Sequence, residues 1–268
     1  MEDRKVRSSR AVVWFAIAAL VLVASESSDA ADSTSQKAAY VQTASLAAAE
    51  ANQAAAADDR FVYAIDSTVV AKYDRASGKR LAESVGKAKH LNSGFLWSGK
   101  LYCAHSNYPR KPEQSEIMVV DPESMVLAPF KQFTENRGSL TWAVREGGAW
   151  WCTFAHYGTN NAQTVLVKFD ADWREQGGWK YPQEVVKDLG LMSISGGVWK
   201  DGLILATGHD HKRIYRLRVP KQGSVLELVD VVSSPFPGQG IAIDPKTGGL
   251  VGIDRDKRQV IFATLGEK

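Results

Sequence analysis

The stretch from Gly94 to Asn107 reads GFLWSGKLYCAHSN: an apolar run, a tight Ser-Gly turn, a second apolar run and an abrupt polar end. Short apolar runs on either side of a glycine turn are the signature of a β-hairpin. The pattern returns at Thr141–Tyr157 (TWAVREGGAWWCTFAHY), Gly197–Asp210 (GVWKDGLILATGHD) and Ile241–Arg255 (IAIDPKTGGLVGIDR). Three of these copies end in or beside a histidine: His105, His156 and His209. One supersecondary unit, used repeatedly, therefore organises the chain.

Working outward, each hairpin is followed by two further short strands. The first unit has Gln53–Ala57, Phe61–Ile65, Val69–Asp74 and Arg80–Val85. Ala47–Ala57 has the composition of a helix. Its place directly before a hairpin makes Gln53–Ala57 an inner strand of small side chains. The second strands begin near residues 61, 101, 150, 203 and 250, a period of about 40 to 53 residues. Four short strands per period with no long helix predict an all-β, five-bladed β-propeller; six blades is the alternative if one segment divides differently. The last unit lacks a fourth strand, and Tyr40–Leu46 near the N-terminus is spare. An unpaired edge invites aggregation, so Tyr40–Leu46 is expected to complete the last blade. Only Gln183–Leu189, after Pro182, is expected to form a helical turn.

The N-terminus reads as an address. Arg4, Lys5, Arg7 and Arg10 precede an apolar run from Ala11 to Ala24, and Ser28-Asp29-Ala30 offers a cleavage site. A run of 14 residues falls short of the roughly 20 needed to span a bilayer. The expected organisation is a signal peptide at 1–30, a linker at 31–38 and a single propeller domain at 39–268, secreted or periplasmic. An uncleaved anchor is the other reading. A net charge of +3 gives no reason to expect nucleic acid. Cys103 and Cys152 are the only cysteines. Export would permit a disulfide, but they occupy similar places in different repeats, so two buried thiols are expected.

The hairpin Tyr73-Asp-Arg-Ala-Ser-Gly-Lys-Arg80, echoed by Val120-Asp-Pro-Glu-Ser124 and Phe169-Asp-Ala-Asp172, resembles the outer hairpins of NHL, YVTN and quinoprotein-like propellers. That resemblance implies the fold and carries no catalytic residue across.

In a propeller the loops entering each blade share one face with the loops between second and third strands. On this face fall Asn52-Gln53, His90-Leu-Asn92, Ser139-Leu-Thr141, Ser193-Ile-Ser195 and Gln239, and the strand ends Asp66, His105-Ser-Asn107, His156-Tyr157, His209-Asp210-His211 and Asp254-Arg255. All five histidines of the chain lie in these sets. Imidazoles around a channel mouth suit general acid–base work or metal binding. The expected catalytic residues are His105, His156 and His209. A divalent metal, if present, would be held by His90, His105, His156 and His209. Asn92, Ser195 and Gln239 are expected to orient substrate, Arg255 and Lys212 to receive negative charge, and Tyr108 and Tyr157 to stack on a ring. Glu113 and Glu116 are candidate carboxylates for a base or metal shell. The tryptophans sit at repeating strand positions and are expected to pack between blades. The opposite face carries short turns and reads as structural.

Two functions compete. One is a hydrolase or lyase acting, as a monomer, on a small anionic or carbohydrate-derived substrate. The other is a non-catalytic propeller that binds a glycan, peptide or protein. A purely structural propeller is the third reading.

Overall fold

The computed structural model describes residues 38–266. The expected signal peptide and residues 31–37 of the linker lie outside the described residues. The described residues open with β1 (Ala39–Ala47) and then lay down sheets of four antiparallel strands in meander order. The first sheet is β2 (Ala54–Ala57), β3 (Phe61–Ile65), β4 (Val70–Asp74) and β5 (Arg80–Glu83). The second is β6 (His90–Trp97), β7 (Lys100–Ser106), β8 (Ser115–Val120) and β9 (Leu127–Phe133). The third is β10 (Ser139–Glu146), β11 (Ala149–Ala155), β12 (Val165–Phe169) and β13 (Glu175–Lys180). After a short helix, α1 (Gln183–Asp188), come β14 (Gly196–Lys200), β15 (Leu203–Thr207), β16 (Arg213–Arg218) and β17 (Glu227–Ser233). The last strands are β18 (Ala242–Ile243), β19 (Leu250–Asp254) and β20 (Gln259–Gly266).

The last two runs form one eight-stranded sheet, ordered β14-β15-β16-β17-β1-β20-β19-β18. Only a single parallel pair, Ala39 opposite Ser233, joins β17 to β1. By contrast β1 runs antiparallel to β20 along its whole length, from Ala39 opposite Gly266 to Ala47 opposite Gln259. The N-terminal strand thus supplies the fourth strand of the C-terminal sheet, as the spare strand and missing edge predict.

Turn chemistry explains why these segments reverse where they do. Ser98 and Gly99 have φ of 50° and 75°, and Asp201 and Gly202 have 52° and 75°. Two successive positive φ values are the mark of the two-residue hairpin turn that matches strand twist. In the longer hairpins an aspartate folds back on the turn. Asp74 accepts from the amide of Ser77 at 2.8 Å, Asp121 from Glu123 at 2.9 Å, and Asp170 from Asp172 at 2.9 Å. The sequence likeness between these hairpins is this side-chain bond.

The first strands of successive sheets contact one another in a ring: β2 with β6, β6 with β10, β10 with β14, β14 with β18, and β18 back to β2. Small residues set how closely they approach. Ala54, Ala55 and Ala56 are fully buried, so burial in the ring overrides their helix propensity. A Cβ on Gly240 would stand 2.6 Å from the Ala54 Cβ and 2.9 Å from the Ser93 Cα, and the Gly240 amide donates to the Gln53 carbonyl at 2.9 Å. On Gly197 it would meet the Trp142 ring at 2.4 Å. Between the sheets lie three buried apolar clusters, one built around Ala54–Ala57 and Tyr63, one around Trp142 and Trp150, and one around Phe236. Trp150 stacks on Trp173 with ring centroids 4.9 Å apart, so these tryptophans serve packing.

Arg75, in the turn after β4, meets Asp244, in the turn after β18, through two bonds of 2.7 and 2.8 Å. This pair links the first sheet to the last. Cys103 and Cys152 are free and buried, and burial drives their thiols upward, Cys103 to about 12.

Two details depart from the sequence reading. The first strand of the Ile241–Arg255 hairpin shrinks to Ala242–Ile243, because Gln239 has a φ of 71° and the backbone before it bends around His209. A 3-10 helix, Gly158–Gln163, follows β11. It is pinned by Asn161, whose side-chain amide donates to the Gly190 carbonyl at 2.7 Å. Among the described residues no helix is long and apolar enough to cross a membrane.

Candidate functional site at the histidine-bearing end

The histidines do sit at the strand ends where β6, β7, β11 and β15 finish or begin, and their partners differ. His105 is 5% exposed. Its Nε2 accepts from the Lys89 amide at 2.8 Å, so the ring proton resides on Nδ1. Nδ1 lies 3.0 Å from Oε1 of Glu116 in a bent approach. That contact with His105, opposed by burial, holds the Glu116 carboxyl below its usual range. Nε2 of His105 is thus engaged by the backbone, while its buried Nδ1 meets Glu116 without a hydrogen bond. The pair lines a pocket of about 450 Å³ that also takes in Lys89, Glu113 and Gln132. Glu113 itself pairs with Lys111.

His156 faces its own sheet's entry: its Nε2 is 3.0 Å from the Arg137 carbonyl and donates to it. The same hinge needs Gly138, where a Cβ would come within 2.9 Å of that nitrogen. His90 instead opens a small aromatic ladder. Its ring centroid lies 5.5 Å from that of Tyr108, and Tyr108 lies 4.9 Å from Tyr157. Burial first, then the neighbouring His105, lowers the His90 pKa, with the Asn92 side chain opposing. Burial raises Tyr157 well above the usual phenol value.

The most connected histidine is His209. Its Nδ1 is 2.6 Å from Oδ2 of Asp210, and its Nε2 is 3.3 Å from Nη2 of Arg255. A guanidinium only donates, so Nε2 is the acceptor and Nδ1 carries the proton toward Asp210. Gln239 completes the group by donating its side-chain amide to the His209 carbonyl at 3.1 Å. Lys212 is exposed on the adjoining loop, and its charge, after that of Lys257, helps keep Asp254 ionised against burial.

The remaining expected residues are placed as follows. Asn92 bridges two sheets, donating from Nδ2 to the Leu140 carbonyl at 2.8 Å. Ser195 is buried beside Gly196, and its amide donates to the Thr207 carbonyl at 2.9 Å. His211 is exposed. The structure therefore groups His209 with Asp210, Arg255 and Gln239, and His90 with Tyr108 and Tyr157. His105 and His156 are held apart by backbone partners. Among the described residues no set of three or more His, Cys, Asp or Glu side chains is arranged to hold a metal ion.

The ring axis is tight at this end, where Gly196 and Gly240 meet: a Cβ on Gly196 would lie 2.5 Å from the Gln239 carbonyl and 2.8 Å from the Gly240 Cα. At the other end, on the face of the short turns, it widens into a cavity of about 350 Å³ lined by residues of all five first strands. From its short turns alone, that face reads as structural in the sequence. The only signal for the cavity is the small Ala56-Ala57 pair at the end of β2.

No protein-family model matches the chain, and no curated protein matches its sequence. Among solved structures, Myxococcus xanthus glutaminyl cyclase superposes with a TM-score of 0.60 at 11% identity, over 86% of this chain and 98% of that one. Two others align less closely. A mitotic checkpoint complex gives a TM-score of 0.43 at 10% identity, over 80% of this chain and 63% of that one. The extracellular domain of a one-component system from B. thetaiotaomicron gives 0.41 at 10% identity, over 73% and 24%. With its ring of four-stranded meanders and its likeness to the cyclase, the chain is similar to propeller-like proteins in fold.

Proposed function

We propose that this chain is an exported, five-bladed β-propeller enzyme, a hydrolase or lyase acting on a small anionic or carbohydrate-derived substrate at its histidine-bearing end. The closed ring of β2, β6, β10, β14 and β18 supports the blade count, and the basic and apolar N-terminal run supports export. The Asp210–His209–Arg255 alignment carries the functional reading. A carboxylate at Nδ1 fixes the tautomer and orientation of an imidazole whose Nε2 is left basic, which is the arrangement of a general base. Arg255 is the natural counter-ion for a substrate carboxylate or sulfate. When its donors turn to that anion, Nε2 is released to take a proton. Lys212 adds positive charge, Gln239 holds the His209 backbone, and Tyr108 and Tyr157 offer a ring face. His105 and His156 act here as positioning residues. A cyclase named as an enzyme on a similar fold is compatible with catalysis.

Turnover of uronate, lactone, ester and glycoside panels tests this. His209→Gln should cut kcat at least about 100-fold. Arg255→Gln should raise KM for anionic substrates more than for neutral ones. Full activity in both variants sinks the reading, as does stoichiometric metal in untagged protein that is lost with His105→Ala. The His90–Tyr108–Tyr157 ladder, with Tyr108 40% exposed, favours a second reading, a glycan-binding propeller. Binding without turnover, lost in Tyr108→Ala, would establish it.

A further inference from the structure

The axial cavity on the turn face has the makings of a ligand site independent of the histidine end. It is walled by apolar and aromatic side chains from separate strands, among them Ala57, Phe95, Val144, Val198, Trp199 and Ile243. Its volume of about 350 Å³ sits at the small end of the range for small-molecule pockets, roughly 300–1,000 Å³. Tight packing of Gly196 and Gly240 closes the axis behind it, so a ligand enters only from the turns.

Charge on the lining selects the ligand. Arg145, at the end of β10, lines the cavity, and its guanidinium lies over the Trp97 ring at 4.5 Å and near the Trp150 ring at 5.6 Å. Among the described residues no carboxylate forms an ion pair with it. The two aromatic rings hold the guanidinium plane while leaving its donors unspent. Asp58 also lines the cavity, but its carboxylate is committed to the amides of Arg60 and Phe61 at 2.8 and 2.6 Å and to the Tyr63 hydroxyl at 3.1 Å. Glu146 is exposed at the rim. Two negative groups beside one cation disfavour a doubly charged phosphate or sulfate ester. A singly charged carboxylate on an apolar body satisfies the site best, with its oxygens on the Arg145 fork and its body among the aromatic and branched side chains.

We infer that the turn-face end of the axis is a binding site for a small aromatic or branched aliphatic monocarboxylate, with Arg145 as its anchor. The site shares no residue with the proposed reaction centre.

Phenylacetate is the probe, with 2-phenylethanol as its neutral counterpart and 2-phenylethylamine as its cationic one, all added to the full chain. Trp199 lines the site and Trp97 lies against the Arg145 guanidinium, so tryptophan fluorescence reads binding, checked by calorimetry. Phenylacetate should bind at least tenfold more tightly than either counterpart. Arg145→Gln should remove that preference. Ile243→Trp, which fills the mouth and leaves Arg145 in place, should abolish binding with an unchanged circular dichroism spectrum. His209→Gln should bind phenylacetate as the unaltered protein does, which separates this site from the histidine end. Absence of phenylacetate binding, equal affinity for 2-phenylethanol, or binding untouched by Ile243→Trp would overturn the assignment.

Discussion

Replacing Arg75 by methionine removes one half of the clasp between the first and last sheets. Asp244 is fully buried and Arg75 only 13% exposed, and the Arg75 guanidinium also lies 4.5 Å over the Phe262 ring and donates to the Asp58 carbonyl at 2.9 Å. Exposed ion pairs contribute about 0–1 kcal/mol, whereas orphaning one member of a buried pair costs about 3–5 kcal/mol. Asp244 would keep the Thr247 hydroxyl at 2.8 Å and the Lys246 amide at 3.2 Å. Both clasp residues also line a depression of about 860 Å³. These place the expected loss near the lower bound, at about 3 kcal/mol.

The loss must depend on pH. Burial pushes the Asp244 carboxyl up, but Arg75, Thr247 and the Lys246 amide together outweigh it and hold the carboxyl below its ordinary value. A carboxyl lowered by folding stabilises above its unfolded pKa of about 3.9, and that contribution vanishes as pH falls through the folded value. Without Arg75 the burial effect remains, so the variant's carboxyl is raised and its protonation relieves the penalty. Urea unfolding at pH 7 and pH 3.5 should show a gap of about 3 kcal/mol that narrows strongly in acid. A gap under about 1 kcal/mol at pH 7, the range of an exposed pair, or one that is constant with pH, refutes the clasp.

Gly240→Ala forces a methyl into the ring where only 2.6 Å separates it from Ala54; thermal unfolding should report a loss of about 1–3 kcal/mol. Both cysteines are buried, with Cys103 raised to about 12. Ellman's reagent at pH 8 should therefore find no thiol in the native protein and two after unfolding. A chain starting at Ala48 leaves β20 with an open edge in place of β1. Size-exclusion chromatography should show it associating, and a monodisperse, stable product would count against strand exchange as the closing device.

The repeating hairpins made the sheets legible because each is a local event: alternation, a glycine turn and an aspartate folding back. Even the closing role of Tyr40–Leu46 followed from an edge that lacked a partner. The site was less legible because its chemistry depends on backbone groups and distant residues. Nothing in the sequence around His105 announces that the Lys89 amide fills its Nε2, and nothing around His156 reveals the Arg137 carbonyl. Polar strand ends put His209 and Arg255 on one face, but not the contact that Arg255 makes from 46 residues away. Arg145 reads as an ordinary strand-end cation until the ring closes and Trp97 comes beneath it.

The pairing of β1 with β20 also sets a timetable. Strand β1 must wait for β20, its antiparallel partner far along the chain, before it has a lasting neighbour. Until β20 has been made the ring stays open and β1 has no place to dock. Any factor that escorts the nascent polypeptide therefore meets a chain still pliable enough to be carried, threaded or held.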